Sequence, residues 1–223
     1  MKLCCNPSFS QSFDKMPVPA WLQHMLCSWM HTACFRFSGG FVVQQSCCRE
    51  QYSVRLTRFV ITRSCTVFTE LPKAVLALHC NTIGNWATQL PGLSPTDLDT
   101  HHQGFLYAPQ DTLRLDLQPG TYESIHFDMD PILIDELMGT HWEILPLIEA
   151  YLHQRKTGML LPAVPMDAAV YRLLTNMRNS HAEGEDLDAL LINTIASLLF
   201  RYKCALSESN TPAAGNAVAP VFR

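Results

Sequence analysis

Leu113-Arg114-Leu115-Asp116-Leu117-Gln118-Pro119-Gly120-Thr121-Tyr122-Glu123-Ser124-Ile125-His126-Phe127-Asp128-Met129-Asp130-Pro131-Ile132-Leu133-Ile134-Asp135-Glu136-Leu137-Met138-Gly139 contains the change of periodicity on which the fold turns. Leu113, Leu115 and Leu117 alternate with Arg114 and Asp116, the pattern of a strand with one buried face. Pro119-Gly120 predicts a turn. Ile125, Phe127 and Met129 then alternate with Ser124, His126 and Asp128, which predicts a second strand and turns His126 away from the core. At Asp130-Pro131 the spacing becomes helical. Asp130 suits an N-cap, Pro131 the first helical position and Gly139 the stop.

Upstream of this junction the text keeps a period of two. Tyr52, Val54 and Leu56 alternate with Ser53, Arg55 and Thr57. Phe59–Thr62, Cys65–Phe68, Val75–Cys80 and Phe105–Tyr107 are rich in β-branched, aromatic or other apolar residues, with turn residues between them. Many short strands at close spacing predict a β-barrel or sandwich over residues 37–130. Downstream, apolar residues recur at helical spacing in four stretches over residues 131–206: from Pro131, from Ile144, after Pro165 and after Gly184. Pro146 is tolerated only in a first turn. The expected class is therefore α+β, a small barrel followed by about four helices. Residues 207–223 are expected to be a flexible tail or linker, and residues 1–36 an unassigned lead-in.

Composition narrows the function. The chain has 223 residues, is 48% hydrophobic, and carries a net charge of −4 with histidine neutral. It can bury a core, and no Lys/Arg-rich run marks it as a free-standing nucleic-acid binder. No uninterrupted apolar stretch is long enough to suggest a membrane span, and Asp14, Lys15, Pro17 and Pro19 break any signal-peptide pattern. The nine cysteines are odd in number, scattered and without a C-x-x-C, so reduced thiols in a cytoplasmic protein are expected. No G-x-S-x-G, P-loop or G-x-G-x-x-G is present. Asp128 and Asp130 lie at strand spacing, but the neighbouring Pro131 favours helix capping over paired-carboxylate chemistry.

Three phrases carry a family resemblance. They are Leu117–Ser124 leading to Asp130-Pro131, Leu71-Pro72-Lys73-Ala74-Val75-Leu76-Ala77-Leu78-His79, and Leu160-Leu161-Pro162-Ala163-Val164-Pro165-Met166 before two helices. Across residues 37–205 the chain resembles the sensor and dimerisation half of AraC-type bacterial transcription regulators. The resemblance implies a cupin-like barrel, a helical hairpin at a subunit interface, a small-molecule effector and a homodimer. It also implies DNA binding only through a helix-turn-helix domain, so the chain is expected to be truncated before that domain. Cupin-type metal sites carry an H-x-H and a nearby carboxylate; His101-His102 are adjacent instead, so neither a metal nor a cofactor is expected.

A pocket that binds without reacting is thus expected inside the barrel, with His79, Trp86, Phe105, Tyr107 and Tyr122 as its aromatic and polar lining. Leu187, Leu190, Leu191, Ile195 and Leu198 form a wide apolar stripe on the last helix and are the expected dimer interface. Two alternatives stay open: a metal-dependent cupin-type oxygenase or isomerase, and a stand-alone interaction protein.

Overall fold

The computed structural model describes residues 2–5, 13–94, 96–139 and 143–209. Its strands form two facing antiparallel sheets. The smaller runs β1 (Lys2–Cys5), β6 (Cys65–Glu70), β11 (Thr112–Leu117), β8 (Trp86–Gln89) and β9 (Thr96–Leu98) in spatial order. The larger runs β13 (Met159–Leu160), β10 (His102–Ala108), β7 (Val75–Ile83), β12 (Gly120–Met129), β5 (Tyr52–Ile61), β4 (Gly40–Cys48), β3 (His31–Phe37) and β2 (Asp14–Lys15). β14 (Val164–Pro165) also pairs with β10. The turn at Pro119-Gly120 carries the chain from β11 in one sheet to β12 in the other.

Period-two alternation sorts the larger sheet into two faces. Val54 and Leu56 on β5, Leu76, Leu78 and Cys80 on β7, Phe105 and Tyr107 on β10, and Ile125, Phe127 and Met129 on β12 join one hydrophobic core with the helices. Their sequence neighbours point into the space between the sheets. β7 and β10 thus turn their largest residues towards the helices, while His79, Ala77, Ala108, Thr57 and His126 face the inside of the sandwich beside Phe59 and Leu106.

The helical layer consists of α1 (Pro131–Met138), α2 (Leu145–Leu152), α3 (Ala168–Arg178) and α4 (Gly184–Ser209). The Leu133 amide donates to Asp130 Oδ1 at 2.8 Å, and Gly139 closes α1 at φ 64°. Asp167 caps α3 by accepting from the Ala169 and Val170 amides. Pro146 lies in the first turn of α2, where its missing N–H disrupts no helical bond. α4 has the length and composition to cross a membrane, but Leu187, Leu191, Ile195, Leu198, Leu199 and Tyr202 are buried within this chain, as expected of a core helix.

The fold corrects two expectations. The boundary at residue 37 cuts through β3, and the lead-in is part of the fold. A 3-10 helix (Ala20–Met25) buries Leu22, and Cys27, Met30 and Cys34 are buried with it. The buried Gln45 amide accepts from the Cys27 N–H and donates to its carbonyl, both at 3.2 Å. The second correction concerns the stripe on α4. Leu191, Ile195 and Leu198 have no exposed surface, Leu187 is 5% exposed and Leu190 is half-buried, because α4 packs on α1, α3 and the sheet. Leu187, Leu191, Ile195 and Leu198 therefore belong to the core of the single chain.

Candidate functional site

The space between the sheets contains a cavity of about 70 Å³. Register decides which groups reach it. On β12, His126 stands opposite Arg55 of β5 on one side and His79 of β7 on the other. The three side chains thus form a polar row across adjacent strands, all facing inward. Thr57 and Phe59 continue β5, Val75 and Ala77 flank His79, and Leu106, Ala108, Leu113 and Leu115 supply much of the apolar wall.

The row is internally bonded. His79 Nδ1 lies 3.2 Å from His126 Nε2, which is also 3.3 Å from Ser124 Oγ. One nitrogen of the pair must carry the hydrogen and donate to the other. Arg55 Nη2 donates to Asp128 Oδ1 at 2.6 Å, and Ser53 Oγ donates to Asp128 Oδ2 at 2.8 Å. Burial disfavours the imidazolium of both histidines, and the Arg55 charge adds to this. His79 is pushed down to about 4, and His126 well below its ordinary range by burial, then His79, then Arg55. At neutral pH the pair is uncharged and serves as a hydrogen-bonding wall. Thr69, 3% exposed on the smaller sheet, adds a hydroxyl with no hydrogen-bond partner among the described residues. Such a group gains from bonding whatever occupies the cavity.

The site does not suit a metal. No group of three or more His, Cys, Asp or Glu side chains is placed to hold one among the described residues. His79 and His126 direct ring nitrogens at each other, and Arg55 adds a positive charge to the same row. A bound cation would need further ligands and would meet that charge.

The residues expected to line the pocket divide. His79 lines it. Phe105 and Tyr107 are corrected: both lie on the helix-facing side of β10, where the Phe105 ring is 6.4 Å from that of Tyr202 and the Tyr107 hydroxyl donates to the Arg155 carbonyl at 2.6 Å. Tyr122 is also corrected. It packs between Phe37, Phe59 and Leu117 beyond the cavity, with its hydroxyl donating to the Gln118 carbonyl at 2.9 Å. Trp86 lies on β8 opposite Leu98, and its side chain falls outside the described residues. His126, expected to face away from the core, is instead central, and Arg55, Thr57 and Thr69 join the lining in addition to the expected residues. Their signal was faint, because polar residues at alternate strand positions usually mark a solvent-facing side, and here the side of β5 that carries Arg55 and Thr57 faces the smaller sheet.

The solved structures similar to this fold include AraC-like regulators and cupins. The AraC-like transcriptional activator CuxR is 12% identical, with 86% of this chain and 69% of that chain covered and a TM-score of 0.47. Apo ToxT from Vibrio cholerae is 9% identical, with 70% and 57% covered and a TM-score of 0.47. A cupin superfamily protein from Desulfitobacterium hafniense is 13% identical, with 40% and 76% covered and a TM-score of 0.30. No protein-family model matches the sequence, and no curated protein matches it. These TM-scores lie below 0.5, so the functional reading rests on the cavity itself.

Proposed function

We propose that this chain is a non-enzymatic sensor module that holds a small molecule between its two sheets. The observation that carries the reading is the inter-sheet cavity itself, apolar over most of its wall and polar where His126, Thr57 and the Thr69 hydroxyl face it. Its volume of about 70 Å³ is well below the roughly 300 Å³ of a drug-sized pocket. The fitting occupant is a molecule of a few heavy atoms with one polar group. At about 1.5 kcal/mol per heavy atom, a five-atom ligand reaches a Kd of about 3 µM at best. The residues offer recognition and no activated nucleophile: the histidines are neutral and bonded to each other.

The regulatory role belongs to the same proposal. The resemblance to AraC-type regulators supports a cytoplasmic bacterial effector sensor whose influence on DNA runs through a helix-turn-helix domain. It also supports a homodimer, which here would use the outer face of α4, where Phe200 is 65% exposed, in place of the buried stripe.

The test is a thermal-shift series with short aliphatic alcohols and carboxylic acids, repeated on Ala108→Leu. Ala108 is fully buried on the cavity wall, and the added carbons occupy the space a ligand would take. Stabilisation of the native chain by about 1–3 kcal/mol at saturating ligand, absent in a folded Ala108→Leu, is the expected result. No shift with any compound, or an unchanged shift in Ala108→Leu, overturns the proposal.

A further inference from the structure

A second cleft of about 450 Å³ opens on the outside of the molecule, on the helix-covered side of the larger sheet. Lys73 enters it from the β6–β7 connection, and Arg155 and Lys156 from the segment after α2. Eighty-odd residues separate Lys73 from the other two, so no basic run in the sequence announces the cluster. Among the described residues none of the three takes part in an ion pair. The carboxylate lining the cleft is Asp111, and its Oδ1 accepts from the Thr112 amide at 2.7 Å.

The backbone that carries Arg155 stands on a fixed frame. Tyr107 is fully buried, yet its hydroxyl reaches the Arg155 carbonyl at 2.6 Å. Gln154 adopts φ 48°, a left-handed conformation uncommon for a residue other than glycine. The Arg155 amide donates to the Ala150 carbonyl at 2.9 Å. The half-buried ring of Tyr151 stands edge-on to Tyr107, with centroids 6.5 Å apart at 85°. It gives the cleft an aromatic wall, and Gln110 and Gln154 add amides that both donate and accept.

We propose that this cleft binds a nucleoside monophosphate. Three cations against one carboxylate leave a local excess of two positive charges, matching the roughly −2 charge of a phosphate monoester. The Arg155 guanidinium has the fork geometry for phosphate oxygens, and the two lysines act as point charges beside it. The base stacks on Tyr151, and its edge meets the glutamine amides. The volume lies within the range of small-molecule sites. This site is separate from the inter-sheet cavity and stands or falls independently of it.

The experiment is isothermal titration of the full chain with AMP and GMP, and with adenosine, inorganic phosphate and a short DNA duplex as separate arms. A monophosphate is expected to bind more tightly than either of its halves and to weaken as salt rises from about 0.05 to about 0.5 M. Lys73→Ala and Lys156→Ala, both at exposed positions, are each expected to weaken binding about three- to tenfold. Tyr151→Leu is expected to reduce the advantage of the nucleotide over phosphate. Inorganic phosphate binding as tightly as the nucleotide, duplex DNA binding while the monophosphates do not, or equal binding by the folded Lys73→Ala/Lys156→Ala variant each overturns the proposal.

Discussion

The two histidines at the centre of the sandwich give it a pH dependence of definite sign. Both have native pKa values below the ordinary histidine value of 6.5, His79 at about 4. Above pH 6.5 neither the native nor the unfolded chain protonates them, and they contribute nothing to the slope. Below it, the unfolded chain takes up protons that the native chain refuses, so stability falls as pH drops from about 6.5 towards about 4. The expected slope is about 1.4 kcal/mol per pH unit for each histidine once well below 6.5. Denaturant unfolding at pH 7 and 5.5 measures it, and His126→Asn is expected to flatten it by about half. An unchanged slope in the variant means that His126 titrates normally and does not face a dry interior. Glu123, on the opposite face of β12, sits in a different environment. It is 1% exposed, pairs with Arg58 and, at 2.7 Å, with Arg178 of α3, and accepts from Thr82 Oγ1 at 2.8 Å. Removing such a carboxylate would strand buried positive charge, so it ties α3 to the sheet.

At the scale of elements, α4 distinguishes core from interface. Leu191 is fully buried and Phe200, nine residues later, is 65% exposed. Leu191→Glu buries an unpaired charge and is expected to unfold the helical layer, as seen by circular dichroism. Phe200→Glu is expected to leave the fold intact and, by light scattering, to turn a dimer into a monomer. A wild-type chain monomeric at tens of micromolar, or a folded dimer that survives Phe200→Glu, removes this face as the dimer surface. The sequence showed this helix as a wide apolar stripe, and that was correct; its partner was not legible. Periodicity reports that a face is buried, not against what, and here the outward face of the larger sheet covers it. The caps of α1 were legible, because Asp130, Pro131 and Gly139 act on their own backbone neighbours. The lead-in was not, because β3 is held by pairing with β4 and its own alternation is irregular.

For the whole molecule, the order of strands and then helices was readable from period alone, and the cavity was not. With both faces of the larger sheet covered, alternation cannot say which face looks into the sandwich. Choosing the large aromatics Phe105 and Tyr107 as lining chose the helix-facing side. The cavity exists because smaller and more polar alternates, Thr57, Ala77, Ala108 and His126, fill the other side incompletely. The most direct test of the sensor reading is methyl NMR of the full chain titrated with butanol and butyrate. The account predicts saturable shifts at Ala77, Ala108 and Leu115, absent in Ala108→Leu. Shifts confined to the helical layer or to the outer cleft, or none at millimolar ligand, would contradict it.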